Sequence, residues 1–145
     1  MKPKTVDAMK RKRVVIDTNI LVSGLLNPSG APGRIVDMLL NDDFELAVDD
    51  RILLEYQQVL TRPKFGFAPS DVYQLIAFIK IVTLSMTVQP MKIQLPDLKD
   101  QPFLEVVRAA NADAIVTGNM KHFPNVPDAV TPGDFVQNFL NTNQP

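Results

Sequence analysis

Val14, Val15 and Ile16 form a short run of apolar, β-branched residues, the pattern of a strand buried on both faces. Asn27-Pro28-Ser29-Gly30 and Pro32-Gly33 punctuate a loop, and Ile35, Met38 and Leu39 then recur at helical spacing. Phe44 to Val48 reads as a second strand. Ile52, Leu53, Tyr56, Val59 and Leu60 mark one face of a helix that must stop near Pro63, because proline has no amide to donate and clashes with the preceding turn. Ser70 has the character of an N-cap for a longer helix traced by Val72, Leu75, Ile76 and Ile79 and running to about Thr83. Another strand is expected around Thr87 to Gln89, before Pro90.

Phe103, Val106, Val107 and Ala110 outline a further amphipathic helix whose start is signalled by Asp100 and Pro102. Ala114 to Thr117 reads as a strand. Thr131, Pro132 and Asp134 are an N-cap, a first-turn proline and a first-turn acid, so Phe135 to Leu140 is predicted as a terminal helix. Strands alternating with helices predict an α/β fold, with a mainly parallel central sheet flanked by helices on both faces. Residues 13–145 form one domain in this reading, and residues 1–12 a flexible basic extension. Sites in such sheets gather at the carboxyl ends of strands, which singles out Asp17 and the Gly118-Asn119 pair.

Composition narrows the chemistry. A chain of 145 residues, 46% hydrophobic and 21% charged, fits one globular domain. It has no cysteine, which excludes disulfides, zinc–thiolate sites and thiol nucleophiles, so any metal must sit on oxygen ligands or on the sole histidine, His122. No apolar run approaches the roughly 18 to 20 residues that span a bilayer, and the first residues lack the apolar core of a signal peptide. A cytoplasmic protein that does not enter membranes is expected. The net charge of −1 is uneven: Lys2, Lys4, Lys10, Arg11, Lys12 and Arg13 crowd the start of the chain, where they either touch phosphates or form a solvated tail.

Asp17-Thr18-Asn19 places a carboxylate, a hydroxyl and an amide directly after the first strand, where a turn or a helix cap explains them as well as a site does. Glu55 sits beside Leu53, Leu54 and Tyr56, either at the margin of the buried helix face or, as is commoner for a helix glutamate, simply solvated. Asp97 and Asp100 flank a helix entrance, where the helix dipole favours an acid. Capping accounts for one of them, and Asp100, nearest the helix start, is the better ligand, leaving Asp97 as a loop acid. Thr117-Gly118-Asn119 offers a hydroxyl and an amide after the late strand, while Asp113 falls at the opposite end of that strand. His122, a lone histidine, is not assigned a role. Hard cations such as Mg²⁺ and Mn²⁺ suit these oxygen donors, and Mg²⁺ needs only one or two carboxylates beside water and substrate.

Over Val14 to about Leu140 the chain resembles the PIN-domain family. Val15-Ile16-Asp17-Thr18-Asn19-Ile20-Leu21-Val22-Ser23 is similar to that family's opening strand and first acid. Leu54-Glu55-Tyr56, followed by Leu60-Thr61-Arg62-Pro63-Lys64-Phe65, is similar to the second-acid helix of the subgroup described as toxin components of toxin–antitoxin systems. Asp97 to Glu105 resembles the third-acid segment, and Ala112 to Asn119 the last strand of the site. The resemblance implies a single PIN-like domain acting as a Mg²⁺- or Mn²⁺-dependent endoribonuclease on single-stranded RNA, with an antitoxin partner and self-association into a homo-oligomer. Asp17, Glu55 and Asp100 would be the catalytic, metal-holding acids, and Thr18, Asn19 and Thr117 would orient carboxylates or water. Many members carry a fourth acid where this chain has Asn119, which supplies an oxygen but no charge, and Asp113 is a weaker substitute.

Arg34, Arg62, Lys64, Lys121 and the N-terminal cluster are candidates to guide RNA. Phe65 and Phe67 either stack on bases or anchor the core, the second being commoner for such aromatics. Two other readings stand beside the nuclease. One is a phosphoryl-transfer α/β protein, against which Asn19 stands where haloacid-dehalogenase-like phosphatases place a second aspartate, and in which a receiver domain's acid pair and late lysine are not found. The other is a PIN fold kept only as a binding module, with Asn119 marking a degraded site.

Overall fold

The computed structural model describes residues 11–92 and 95–143. The tail lysines Lys2, Lys4 and Lys10 lie outside the described residues. Five strands, β1 (Arg13–Ile16), β2 (Glu45–Val48), β3 (Leu84–Ser85), β4 (Ala114–Val116) and β5 (Ala129–Val130), form one sheet in the order β3-β2-β1-β4-β5. All four pairings are parallel. Six α-helices connect and flank them: α1 (Thr18–Leu26), α2 (Ala31–Leu40), α3 (Asp50–Leu60), α4 (Pro69–Val82), α5 (Gln101–Ala110) and α6 (Pro132–Asn143). The α/β class and parallel sheet expected from the alternation are therefore present. Val14, Val15, Ile16, Leu46, Ala47, Val48, Ile115 and Val116 are all fully buried, which is why these strands read as continuous apolar runs rather than alternating ones.

From β1 the chain crosses outward through α1 and α2 to β2 and through α3 and α4 to β3, then returns through α5 to β4 on the other side of β1. With right-handed crossovers the outward and return helices cover opposite faces. The reversal between β1 and β4 opens a crevice at their carboxyl ends, the place where sheets of this kind bind ligands. The first residues beyond those two strands are Asp17 and Thr117.

Several boundaries differ from the sequence reading. Helix α1 was absent from the pattern because it has little amphipathic character. Thr18, Ile20, Leu21, Val22 and Gly24 are all buried, so no polar stripe alternates with the apolar one. Gly24 lets α1 and α2 approach closely, since a Cβ there would stand 2.6 Å from Val36 Cγ2, and Gly33 lets the connecting loop fold back on α2, since a Cβ there would stand 2.1 Å from the Pro28 carbonyl oxygen. Helix α4 starts from Ala68 rather than from a Ser70 N-cap, because Pro69 occupies the first helical position, where its missing amide costs nothing. The third strand is Leu84–Ser85, not Thr87 to Gln89. Its register, Ala47 opposite Leu84 and Val48 opposite Ser85, brings the chain into the sheet straight after α4. Strand β5, only two residues long, carries no readable pattern. Thr131 does cap α6, accepting from the Asp134 amide at 3.2 Å.

Arg11 is anchored to the domain, its guanidinium donating to Asp42 Oδ1 at 2.7 Å and to the Phe44 carbonyl at 2.8 Å. Among the described residues no helix is long and apolar enough to cross a membrane.

Candidate metal centre

Asp17 stands at the N-cap position of α1 but makes no capping hydrogen bond. Its backbone amide continues the sheet by donating to the Val116 carbonyl at 2.9 Å. Its carboxylate accepts a 2.8 Å hydrogen bond from Thr117 Oγ1. Both residues are buried, Thr117 completely. Burial pushes the Asp17 carboxyl above its ordinary range. The Thr117 hydroxyl, the Thr18 and Asn19 backbone amides and the nearby His122 pull the other way without offsetting it. Thr117 Oγ1 also accepts from the Asn119 amide at 3.1 Å, so one hydroxyl ties the acid after β1 to the loop after β4.

Glu55 is half-buried on α3 and accepts a short hydrogen bond from the buried Thr18 hydroxyl. The next residue, Tyr56, is fully buried and donates from Oη to the Ile16 carbonyl at 2.5 Å. Adjacent residues of α3 thus reach the last residue of β1 and the first residue of α1, on either side of Asp17. Burial, reinforced by the charges of Asp17 and Glu55, drives the Tyr56 phenol well above its ordinary pKa, so it stays a neutral donor.

Asp97 and Asp100 separate as a cap and a pocket acid. Asp97 is exposed and accepts from the Lys99 amide at 2.9 Å, capping the 3₁₀ turn Leu98–Asp100. Asp100 is buried at the entrance to α5 and makes no capping bond. Burial first, then the charges of Asp17, Asp97 and Glu55, push its carboxyl up to about 6, with His122 opposing. Its Oδ2 is buried without a hydrogen-bond partner, although His122 Nδ1 stands 3.1 Å away. His122 Nε2 lies 2.9 Å from Asn119 Nδ2. Asp17, Glu55 and Asp100, from three separate crossovers, therefore share one electrostatic pocket at the carboxyl ends of the strands.

The remaining candidates lie elsewhere or on the surface. Asn19 is exposed. Asp113 sits at the amino ends of the strands, where its Oδ2 accepts from the Arg13 amide at 2.8 Å, so it cannot replace an acid in the pocket. Arg34, Arg62, Lys64 and Lys121 are exposed. Phe65 and Phe67 stack on each other with centroids 6.0 Å apart and pack against the core, while Lys64 Nζ lies 5.1 Å from the Phe65 ring centroid.

Two sets of residues were not found from the sequence. His122 was set aside as a lone histidine, and its contacts cross from one element to another. Arg51 and Glu105 form a clamp: Arg51 Nη1 meets the buried Glu105 Oε1 at 2.6 Å, and its Nη2 meets Asp49 Oδ2, on the α3 N-cap, at 2.7 Å. Glu105 Oε2 also accepts from the Met91 amide at 2.8 Å. The clamp joins the helix carrying Glu55 to the helix entered through Asp100. An exposed arginine in the first turn of α3 gives no hint of this in one dimension.

The donor chemistry fits a hard divalent cation. Two buried carboxyls are held above their ordinary pKa by burial, joined at Asp100 by the charge of Asp17, and one of their oxygens is unsatisfied; a cation removes both penalties. Among the described residues no three His, Cys, Asp or Glu side chains form a ready ligand cluster.

A parallel α/β domain with acids gathered at its topological switch point defines the class of protein. Residues 13–121 match the PIN domain family, and the chain belongs to that family. PIN domains are generally a nuclease fold and are typically metal-dependent. Over 52 residues the chain is also 38% identical to an uncharacterized protein of Methanocaldococcus jannaschii, a match covering 36% of this chain and 34% of that protein. The chain thus spans about a third of that relative's length.

Proposed function

We propose that this protein is a Mg²⁺- or Mn²⁺-dependent endoribonuclease that hydrolyses phosphodiester bonds in single-stranded RNA. The observation that carries the reading is the pair Asp17 and Asp100, two buried carboxyls raised in pKa at the switch point, one of them with an unsatisfied oxygen. Asp17, Glu55 and Asp100 would hold the cation. Bound there, it would supply charge neutralisation at the scissile phosphate and lower the pKa of water.

The chain's own residues do the positioning. Thr117 orients the Asp17 carboxylate, Thr18 orients Glu55, and Tyr56 fixes α3 against the end of β1. Asn19, exposed beside Asp17, would orient water at the rim. Asn119 offers an oxygen without adding a fourth charge to an already repulsive pocket. Exposed Arg34, Arg62, Lys64 and Lys121, with the basic N-terminal residues, would offset the pocket's repulsion of an anionic strand. The likeness of residues 54–65 to toxin components supports a role as the toxin of a toxin–antitoxin pair, self-associating and held inactive by a protein partner in the cytoplasm.

The test is cleavage of labelled single-stranded RNA in Mn²⁺ or Mg²⁺ by wild type and by Asp17→Asn, with an EDTA control and duplex RNA and single-stranded DNA as competitors. Metal-dependent cutting lost in the variant supports the proposal. Equal cutting by both proteins means contamination, and metal binding without cleavage of any RNA leaves a PIN fold used as a binding module.

A further inference from the structure

His122 ends the 3₁₀ turn Met120–His122, partly exposed, with each ring nitrogen facing a pocket residue. Nδ1 is 3.1 Å from Asp100 Oδ2, yet that oxygen is buried and accepts no hydrogen bond. An imidazolium–carboxylate pair directs its N–H along the line to the oxygen, and that alignment is missing. Two neighbouring ligands of an octahedral cation behave differently. Each sits roughly 2.1 Å from the ion, so they lie about 3 Å apart and aim at the ion rather than at each other. The Nδ1 to Oδ2 spacing is that of such an edge.

The far side of the ring is consistent with this. A metal-bound imidazole usually donates its other N–H to an oxygen, which fixes the tautomer and the ring plane. Asn119 lies 2.9 Å from Nε2 through its amide. The two ends of a carboxamide fill nearly the same space, so a half-turn about Cβ–Cγ sets Oδ1 against Nε2–H. Nδ1 then keeps its lone pair on the Asp100 side. Asn119 is itself held, because its backbone amide donates to Thr117 Oγ1, the hydroxyl that orients Asp17.

We propose that His122 Nδ1 and Asp100 Oδ2 form one edge of the cation's coordination in this protein, with Asn119 as the positioning residue that holds the imidazole. The inference rests on the metal-dependent reading above and goes beyond an all-oxygen site. It changes the preferred ion. Imidazole nitrogen favours Mn²⁺, Co²⁺ and Ni²⁺ over Mg²⁺, so the cation would be bound by a mixed nitrogen and oxygen set. It also gives the neutral residue at position 119 a purpose, since a carboxamide supplies the acceptor without further negative charge.

The experiment uses the untagged full-length chain loaded with Mn²⁺ alone, read by electron spin echo modulation for directly bonded ¹⁴N. The chain has one histidine, so an imidazole nitrogen signal can come only from His122. The expected result is ¹⁴N coupling in wild type and none in His122→Gln, whose Mn²⁺ dissociation constant should rise roughly tenfold or more while its Mg²⁺ affinity changes less. Asn119→Ala should weaken Mn²⁺ binding by about tenfold and reduce the coupling. Mn²⁺ bound by wild type without ¹⁴N coupling overturns the His122 assignment and leaves the carboxylate site standing. Failure of wild type to bind Mn²⁺ at all overturns both. The wild-type spectrum decides the matter even if a variant does not fold.

Discussion

Thr117 Oγ1 donates a 2.8 Å hydrogen bond to Asp17 Oδ2 between residues 100 positions apart in the chain. The bond is short-range in space because β1 and β4 are neighbours, with Ile16 opposite Val116 in the register. The acid's orientation thus depends on sheet pairing rather than on local sequence. Thr117→Val keeps the shape and removes the hydroxyl. Cleavage should fall roughly tenfold or more. The acid limb of the pH–rate profile should also move to higher pH, because the bond that lowers the Asp17 pKa is gone. An unchanged profile in steady-state RNA cleavage from pH 5 to 9 would sink this reading.

Asp17→Asn should have opposite effects on activity and on metal-free stability. Cleavage should drop at least about a hundredfold, equivalent to roughly 3 kcal/mol of transition-state stabilisation. In EDTA at neutral pH, however, the neutral amide removes the cost of burying a charge and its repulsion of Asp100, and the urea midpoint should rise. Parallel cleavage and urea titrations check both signs. A variant less stable than wild type in EDTA would contradict the electrostatic account.

Asp100 supplies the pH dependence. Its folded pKa, about 6, lies above its ordinary 3.8, so between those values the native state keeps a proton that the unfolded chain has lost. Its contribution is unpenalised below the ordinary value, declines as pH rises from about 4 to 6, and is flat above. The integrated loss is on the order of 3 kcal/mol in the metal-free protein. Urea unfolding of wild type and Asp100→Asn in EDTA at pH 4, 5, 6 and 7 should therefore give a stability difference that grows toward neutrality in favour of the variant. A difference independent of pH would refute it.

Adding Mn²⁺ should reverse that penalty. At a hundred times its dissociation constant, a ligand bound only by the native state contributes about 2.7 kcal/mol. Thermal unfolding should accordingly show Tm rising with Mn²⁺ in wild type and little in Asp17→Asn or Asp100→Asn. Equal shifts in all three would place the ion elsewhere.

The clamp between α3 and α5 offers a test away from the acids. Burial raises the Glu105 carboxyl, but the Met91 amide and Arg51 outweigh it and hold the group below its ordinary range. Its contribution is present above the ordinary value and is lost as pH falls through the lowered one. Arg51→Met leaves Glu105 buried beside an apolar side chain. Because the arginine is half-exposed, the cost should be about 1 to 3 kcal/mol rather than that of a fully buried pair. Chemical denaturation at pH 7 measures it, and a loss below half a kilocalorie would show the clamp to be incidental.

What the sequence revealed follows from how each feature is encoded. Strands β1, β2 and β4 and helices α3 and α5 were readable because burial on both faces or on one face leaves a period or a run. Helix α1 left neither, being apolar at Ile20, Leu21 and Val22 and buried at Thr18 as well. Strand β3 was displaced by three residues, since β-branched Thr87 and Val88 mimic a strand while the pairing with β2 falls at Leu84 and Ser85. Asp97 and Asp100 could be separated into cap and pocket acid from their distance to the helix start. The pairing of Asp100 with His122 could not, because it joins the entrance of α5 to the loop beyond β4. No local pattern specifies which loops meet at a crevice.

The order of strands also has a consequence during synthesis. Asp17 is made early, just after the first strand, but its partner hydroxyl follows the strand that slots in beside β1 only after β2 and β3 have been made. A partly translated chain can collapse around β1 and β2 and still have an unfinished pocket. The pocket is therefore completed only once the β4 segment has been made and has docked beside β1.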